Sequence, residues 1–382
     1  MPNVTVSRPT WAEVDLDSLA FNFHSIKSFV GEAVEQMAVV KADAYGHGAV
    51  ECAKRLEAEG ADWFAVATLE EGVELRQAGI RIPILILGSF FAGQVRELLN
   101  FELSPLLIYE EQSASLNEAA AERGTIARCH LKVDTGMNRV GLRREHWESA
   151  ATRLSGLKNI EIEGLMTHFA VADDPEENSF TEHQIAEFSR AVEIFHSAGH
   201  RPRYIDLANS PGAIMHPLSR SKMVRVGGLL FGLADDVIRD GVEKPELKRV
   251  MTLHSRIALI KTVPKGESIG YGRTFFTARD SVIASLPTGY NDGYRRGLSN
   301  KAHVLVNEKP APVVGRISMD WTTVDVTDCG EVHIGDRVTL IGEDGESRVT
   351  AKDLAEWCDT FSYEITCGIA RRVLRIYRAE VM

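Results

Sequence analysis

Residues 39–48 read VVKADAYGHG, an apolar run that ends in a lysine and is followed by a tyrosine, a histidine and two glycines. The run belongs to QMAVVK (36–41), the first of eight short apolar segments in the first two thirds of the chain. Continuous apolar runs of this length are typical of strands that are buried on both faces of a parallel sheet. The other seven are DWFAVAT (62–68), IPILILG (82–88), LSPLLIY (103–109), ARCHLKVD (127–134), IEGLMTHF (162–169), RYIDLAN (203–209) and KMVRVGG (222–228).

Segments with apolar residues at helical spacing lie between these runs, and a glycine stands at the end of the clearest of them. Eight strands with helices between them, over roughly 200 to 250 residues, is the count of a (β/α)8 barrel. We therefore predict an α/β protein in which residues 1–245 form a TIM-type barrel. A doubly wound open sheet is the competing architecture. The clearest helical segments are GAVECAKRLEAEG (48–60), TLEEGVELRQAG (68–79) and FTEHQIAEFSRAVEIFHSAG (180–199).

The pattern changes near residue 245. Shorter apolar runs, punctuated by glycine and proline, follow GVEKPELKRV (241–250), and helical periodicity is sparse apart from LAEWCD (354–359). Short strands with frequent turns are typical of a β-rich fold. Residues 246–382 are therefore predicted to form a second, smaller β-rich domain.

Composition and charge argue against several classes of protein. Hydrophobic residues make up 44% of the 382 residues and charged residues 25%, which is typical of a globular chain that builds its core without disulfides or metals. The net charge of −11 argues against a nucleic-acid or anionic-membrane partner. No apolar run approaches the roughly 20 residues that span a bilayer, and the start MPNVTVSRPTW lacks the pattern of a signal peptide. Five scattered cysteines without a C-x-x-C pair predict no disulfide framework and no zinc site, so we expect a cytoplasmic location.

Lys41 is the first candidate for chemistry. It ends a predicted buried strand, and barrel enzymes build their active sites at the carboxyl ends of the strands. Burial lowers the pKa of a lysine towards the range in which the neutral amine attacks a carbonyl group. A solvated strand end is the alternative interpretation, while Tyr45, His47 and the two adjacent glycines favour the chemical one.

The segment VVKADAYGHG resembles the pyridoxal-phosphate lysine motif of the alanine racemase family, which usually reads V-K-A-N-A-Y-G-H-G. Asp43 stands here in place of the common asparagine. The likeness covers nearly the whole chain, and its motifs occur in the family's order. Beyond the first motif they are KVDTGMNRVG (132–141), GLMTHFA (164–170), ANSPGAI (208–214), VRVGGLLFG (224–232), GYGRTF (270–275), GYNDGYRR (289–296) and GRISMD (315–320).

The resemblance implies that Lys41 binds pyridoxal 5′-phosphate as a Schiff base. Helix N-termini and glycine-rich loops supply donors for a phosphate, and ANSPG (208–212) and GGL (227–229) match the family's phosphate loops. ANSPG also reads as an ordinary helix start with an N-cap and a proline behind it. The residues that the resemblance assigns to the phosphate are Tyr45, Ser210, Gly227, Leu229 and Tyr363.

Arg225 matches the residue that donates a hydrogen bond to the pyridine nitrogen of the cofactor. Because an arginine is always protonated, that nitrogen stays unprotonated, which weakens the cofactor as an electron sink and disfavours transamination. The resemblance also places Arg139 at the phenolic oxygen of the cofactor and His168 between Arg225 and the catalytic tyrosine. Lys132 matches a position that is carbamylated in many members and that steadies Arg139.

Inverting a stereocentre requires removal of a proton from one face and its return on the other, which two acid–base groups achieve directly. The resemblance implies that Lys41 and Tyr271 are these groups. Because Tyr271 lies in the second domain, the resemblance also implies a head-to-tail homodimer in which each subunit's Tyr271 completes the other's site. Tyr290 and Met319 would line the substrate entrance, and Arg139 and the Met319 backbone N–H would bind the substrate carboxylate.

The resemblance predicts an isomerase that interconverts L- and D-alanine. A racemase of broader specificity, acting on serine or another small amino acid, is the first alternative. A decarboxylase of the related fold is expected to present an acidic residue at the ring nitrogen, in contrast to Arg225. Single-domain relatives that bind the cofactor without an established reaction lack the second domain. A purely structural protein would leave the lysine and the glycine loops without a purpose.

Overall fold

The computed structural model describes residues 8–239 and 241–379. These residues form two compact units. We call the unit made of Leu19–Ala44 and Ala49–Lys248 the barrel unit. The β unit consists of residues 8–18, Tyr45–Gly48 and residues 249–379. The sequence predicted a single boundary after residue 245. In the structure, the start of the chain and the loop Tyr45–Gly48 group with the C-terminal part.

Helices and strands alternate through the first half of the chain, and strands dominate the second half. The strands are β1 (Thr10–Asp15), β2 (Glu35–Val39), β3 (Trp63–Val66), β4 (Ile84–Ile86), β5 (Ser104–Leu107), β6 (Ala127–Lys132), β7 (Ile160–Met166), β8 (Tyr204–Asp206), β9 (Met223–Val226), β10 (Met251–Arg256), β11 (Leu259–Val263), β12 (Ser268–Ile269), β13 (Phe275–Phe276), β14 (Ser281–Leu286), β15 (His303–Val306), β16 (Lys309–Pro312), β17 (Thr322–Asp325), β18 (Arg337–Asp344), β19 (Ser347–Val349) and β20 (Leu374–Arg378). The helices are α1 (Leu16–Val30), α2 (Lys41–Tyr45), α3 (Ala49–Ala58), α4 (Leu69–Gln77), α5 (Val95–Asn100), α6 (Glu111–Glu122), α7 (Trp147–Ser155), α8 (Asn178–Ser197), α9 (Ser210–Met215), α10 (Ala351–Cys358) and α11 (Ser362–Cys367).

The barrel unit holds the eight strands predicted from the apolar runs, β2 to β9. They are parallel and are hydrogen-bonded in the order β8-β7-β6-β5-β4-β3-β2-β9. The two ends of this order meet, since the Arg225 N–H in β9 donates to the Ala208 carbonyl just beyond β8 at 2.9 Å. The predicted TIM-type barrel is confirmed, and an open doubly wound sheet is excluded.

Burial explains why the strands of the barrel read as continuous apolar runs. Every residue of β3, β4 and β9 is buried, so neither face of these strands can carry a solvated side chain. The sequence of β9 is MVRV, which places the guanidinium of Arg225 among apolar side chains. A buried charge is costly unless it is paired and hydrogen-bonded. A partner for Arg225 is therefore expected inside the barrel.

The helices predicted between the strands begin and end with the signals seen in the sequence. Thr68 and Glu71 form a capping box at the start of α4. Gly60 and Gly79 follow α3 and α4 with φ angles of +91° and +93°, the left-handed conformation that glycine adopts without a steric penalty. These local signals explain why the helix boundaries are close to those predicted.

The β unit is built mainly of antiparallel strands, so the predicted β-rich C-terminal domain is confirmed. Its largest sheet has the order β16-β15-β18-β10-β1-β20, with β19 paired to β18. Two smaller sheets have the orders β11-β14-β17 and β12-β13. β1 pairs antiparallel with β10 and parallel with β20, which is why the start of the chain belongs to this unit.

Two short helices complete the β unit. α10 contains all but the last residue of the predicted helical segment LAEWCD, whereas α11 was not predicted because its six residues are too few to show a helical period. Within residues 8–239 and 241–379, no helix combines the length and the apolar character that a membrane span requires.

Candidate functional site

Lys41 lies two residues beyond the end of β2 and begins a left-handed turn. The φ angles of Ala42, Asp43 and Ala44 are +53°, +55° and +53°. This conformation costs roughly 1–2 kcal/mol for each residue that carries a Cβ, so outside contacts must stabilise the turn. The Asp43 carboxylate provides one such contact, because its Oδ1 accepts the N–H of Ala49 at 2.8 Å. An asparagine side chain also carries an acceptor oxygen, so the aspartate preserves this contact.

Glu71 provides the second contact to the turn. Its Oε1 accepts the Ala42 N–H at 2.7 Å, and its Oε2 accepts the N–H groups of Ala67 at 2.7 Å and Thr68 at 3.2 Å. One carboxylate therefore joins the segment after β3 to the backbone beside Lys41. The sequence carried a local signal for Glu71, the capping box with Thr68, but no signal that its other oxygen reaches the lysine turn.

Arg225 has its partners inside the barrel, as its burial requires. Its side chain is 3% exposed and forms an ion pair with Asp206, which is fully buried. Nη2 also donates to the Thr167 carbonyl at 2.9 Å and faces Nδ1 of His168 at 3.2 Å. Because the guanidinium can only donate, this geometry assigns the role of acceptor to Nδ1 and places the proton of a neutral imidazole on Nε2. The structure thus brings together two residues that the sequence predicted as parts of one site.

Electrostatics keep this histidine neutral. Burial, and then the charge of Arg225, holds the pKa of His168 well below its usual value of 6.5. Lys132, Arg139 and Lys41 act in the same direction. His168 is therefore a hydrogen-bond donor at Nε2 across the physiological pH range.

Asp206 was missed in the sequence. Its only signal there is a lone acidic residue in the apolar run RYIDLAN. Burial raises the pKa of its carboxyl above the usual 3.8, while Arg225 opposes the shift. Its Oδ2 has no hydrogen-bond partner among the residues that the structure describes. The ion pair with Arg225 is thus the principal compensation for burying this carboxylate.

Lys132 is buried at the end of β6 and donates to the Val133 carbonyl at 3.1 Å. Burial, followed by the charge of Arg225, lowers the pKa of Lys132 from 10.5 to about 7. A large fraction of this amine is therefore neutral near pH 7 and nucleophilic. Arg139 lies on the exposed turn after β6, and its charge contributes to the lowered pKa of Lys132 and His168.

Donors suited to an anion meet at the starts of two short helices in the barrel unit. Asn209 caps α9 by accepting the Gly212 N–H at 3.0 Å, which confirms the helix start read from ANSPG. Ser210 Oγ accepts the Gly227 N–H at 3.0 Å, so its own hydroxyl hydrogen points elsewhere. Directly afterwards Gly228–Phe231 form a 3-10 turn, and the first N–H groups of such a turn have no acceptor within it. Hydroxyl and backbone donors of this kind fit a phosphate group.

Tyr45 and Tyr363 meet inside the β unit. Their ring centroids are 5.2 Å apart and the rings are nearly perpendicular, the favoured edge-to-face arrangement. Burial raises the pKa of Tyr45 above its usual value of 10, which keeps its hydroxyl protonated. Tyr363 lies on α11, so the helix that the sequence did not predict places one of the predicted residues.

Tyr271 lies on a 3-10 turn of the β unit, Tyr271–Arg273, in which Gly272 has a φ of +70°. The Tyr271 side chain is 72% exposed. Tyr290 and Met319 are also exposed and lie close to each other, since the Tyr290 N–H donates to the Ser318 carbonyl at 3.0 Å. The Asn291 N–H likewise donates a hydrogen bond to the Met319 carbonyl at 3.1 Å.

Comparisons with known proteins agree across the length of the chain. The sequence model for the alanine racemase N-terminal domain matches residues 14–235, and that for the alanine racemase C-terminal domain matches residues 250–377. An alanine racemase from Halothermothrix orenii is 44% identical, covering 99% of both chains. The alanine racemase from Bacillus anthracis with bound L-Ala-P is 35% identical with a TM-score of 0.92, over 98% of this chain and 96% of that one. The alanine racemase from Bartonella henselae with covalently bound pyridoxal phosphate is 28% identical with a TM-score of 0.87, over 97% of this chain and 99% of that one.

Proposed function

Since the chain belongs to the alanine racemase family, we propose that it interconverts L- and D-alanine with Lys41 and Tyr271 as its two proton-transferring residues. The reaction is an isomerisation, and the cofactor is pyridoxal 5′-phosphate. When bound, this cofactor withdraws electrons from the substrate Cα and makes its proton acidic. The observation that carries the proposal is the buried Arg225 beside a neutral His168.

The residues of each unit fit parts of the cofactor. Lys41 follows β2 on a stabilised turn and would bond through Nζ to the aldehyde carbon. The free hydroxyl hydrogen of Ser210 and the N–H groups at the start of the 3-10 turn would donate to the phosphate. The barrel unit would supply Lys41, Arg139, His168, Ser210, Arg225, Gly227 and Leu229, and the β unit would supply Tyr45 and Tyr363.

Arg225 determines which reaction is favoured. Its guanidinium donates and cannot accept, so it would hold the ring nitrogen in its unprotonated form. Asp206 fixes the guanidinium and balances its charge inside the barrel. An acidic residue in that place would instead keep the nitrogen protonated, which suits decarboxylation. The arginine therefore supports racemisation over a decarboxylase of the same fold.

Lys41 and Tyr271 would act on opposite faces of the substrate. Nζ of Lys41 would remove or return the Cα proton on one face, and the phenolic oxygen of Tyr271 would do so on the other. A phenol has a usual pKa of about 10 and needs a donor or a positive charge to act near neutral pH. His168 carries its proton on Nε2 and would donate a hydrogen bond from Nε2–H to the phenolate, while Arg225 fixes the opposite edge of the imidazole.

We propose a head-to-tail homodimer in which Tyr271 of the partner subunit completes each site. The support is the exposure of large apolar and aromatic side chains in the β unit that carries Tyr271, which suits a surface covered by a second copy. Phe276 is 51% and Trp321 48% exposed, beside 72% for Tyr271.

The substrate carboxylate would be bound by Arg139 and the Met319 backbone N–H, with Tyr290 at the entrance. Arg139, Tyr290 and Met319 are exposed residues in their own units, as residues that meet an incoming amino acid must be. We also retain the proposal of a cytoplasmic location, which is supported by five cysteines that form no disulfide with one another.

A chiral assay tests the function. The protein, supplied with pyridoxal phosphate, is incubated separately with each L-amino acid, and the D-enantiomer and carbon dioxide are measured. We expect D-alanine to form fastest and no carbon dioxide to be released. Serine turning over faster than alanine would favour the broader racemase, and carbon dioxide without D-alanine would refute the proposal.

A further inference from the structure

Arg375, on β20, contacts the loop that carries Tyr45. The Gly46 carbonyl accepts hydrogen bonds from Nε of Arg375 at 3.2 Å and from Nη2 at 3.1 Å. We propose that Arg375 is a positioning residue that fixes Tyr45 and Tyr363 as one phosphate-binding pair. This inference rests on the proposed function, in which these two tyrosines bind the phosphate of the cofactor.

The remaining donors of Arg375 reach the segment that follows α11. Nη1 donates to the carbonyls of Ala370 at 2.6 Å and Val373 at 2.8 Å, and Nη2 donates to Ile369 at 2.7 Å. α11 carries Tyr363 and ends two residues before Ile369. One planar guanidinium therefore links the backbone beside Tyr363 to the backbone beside Tyr45.

The Tyr45–Gly48 loop fits closely against the rest of the β unit. A Cβ at Gly46 would overlap the Thr366 carbonyl oxygen in α11, and a Cβ at Gly48 would overlap Oη of Tyr377 in β20. Both glycines have left-handed φ angles, +85° and +98°. The backbone of Gly46 lies against the backbone of α11, and Gly48 lies against the Tyr377 side chain, so the loop is packed closely where it accepts the hydrogen bonds of Arg375.

The geometry of the tyrosine pair follows from these contacts. Tyr45 is 8% exposed and meets Tyr363 edge to face, so each ring restricts the other. A lysine at 375 would keep the positive charge but lacks the planar set of N–H donors with which the guanidinium binds the Gly46 and Ile369 carbonyls together. Without the guanidinium, the Tyr45 hydroxyl should be able to move away from the phosphate.

The test compares pyridoxal phosphate with pyridoxal, which lacks the phosphate. Dissociation constants are measured by absorbance titration of cofactor-free protein for wild type, Arg375→Lys and Arg371→Lys, whose side chain is exposed on the neighbouring turn. We expect Arg375→Lys to raise the dissociation constant of pyridoxal phosphate by about tenfold to a hundredfold, which corresponds to the loss of one hydrogen bond to a charged group. Pyridoxal affinity should not change, and Arg371→Lys should match wild type for both.

A double substitution tests whether Arg375 acts through Tyr45. Tyr45→Phe alone should weaken the binding of pyridoxal phosphate, and adding Arg375→Lys should weaken it little further. Circular dichroism of each variant checks folding, and Arg375→Gln, which also removes the guanidinium, is measured if Arg375→Lys proves unstable. Equal losses for pyridoxal and pyridoxal phosphate, or no loss, would overturn the inference. Wild-type protein that binds neither compound would instead refute the proposed function.

Discussion

The ion pair between Arg225 and Asp206 gives a prediction about stability that requires no cofactor. Both side chains are essentially buried, at 3% and 0% exposure. Removing one member of a buried pair leaves the other charge uncompensated, which costs roughly 3–5 kcal/mol. In Asp206→Asn the guanidinium keeps the carbonyls of Thr167 and Leu207 as acceptors. We therefore expect the free energy of unfolding to fall by about 3 kcal/mol, the lower end of that range.

The pair can be isolated by a double-mutant cycle. Asp206→Leu and Arg225→Met each leave one buried charge, whereas the double variant leaves none. Replacing both members of a buried pair by apolar residues is often neutral, so the double variant should be more stable than either single one. The coupling free energy should reach about 2 kcal/mol or more, the upper part of the usual range for contacting residues.

Urea unfolding measures these free energies, followed by tryptophan fluorescence and far-ultraviolet circular dichroism. Coincident transitions justify a two-state treatment. Arg128 and Glu161 form a matched control, because they also join neighbouring barrel strands. Their Nε–Oε2 distance is 3.3 Å, but their side chains are 66% and 55% exposed. Glu161→Gln should change stability by less than about 1 kcal/mol. If the losses of stability in Asp206→Leu and Arg225→Met add to that of the double variant within about 0.5 kcal/mol, the two side chains do not stabilise each other as proposed.

Three further predictions concern Lys132, Glu71 and Tyr271. The folded pKa of Lys132, about 7, lies below its unfolded value of 10.5, so the folded state binds fewer protons between these values and stability should rise with pH there by about 5 kcal/mol. In buffers free of carbon dioxide, Lys132→Met should flatten that rise in urea titrations at several pH values, and an unchanged slope would count against the assignment. Glu71→Gln should lower stability by about 1–2 kcal/mol because one of its two acceptor oxygens is lost, whereas the exposed Glu74 on the same helix should tolerate Gln; equal effects would contradict the role of Glu71. Tyr271→Phe should suppress exchange of the Cα proton from one alanine enantiomer much more than from the other, and mixing it with Lys41→Ala subunits should restore activity; equal suppression argues against two faces, and no recovery argues against shared sites.

The apolar runs predicted the barrel, because strands that are buried on both faces are predominantly apolar. The β-rich part followed from frequent turn residues. The place of β1 was not predictable, since its partners β10 and β20 lie more than two hundred residues away along the chain. α11 was too short to show a period.

The candidate site was predictable where motifs carry it and not where distant contacts do. Arg225 and His168 each lie near the carboxyl end of a barrel strand, and the structure brings them to 3.2 Å. Asp206 looked like a single acidic residue in an apolar run, because nothing local reveals that an arginine in β9 requires it. Arg375 reaches a loop 329 residues away, so its sequence neighbours give no sign of its role.

The proposed chemistry depends on the amine of Lys41, which would hold pyridoxal phosphate. Borohydride treatment of the loaded protein, followed by trypsin digestion and mass spectrometry, tests it directly. Trypsin cuts after Lys27 and Lys54, and a modified Lys41 resists cleavage, so we expect a pyridoxyl group on the single peptide 28–54. A reduced cofactor on any other lysine, or none after loading, would contradict it.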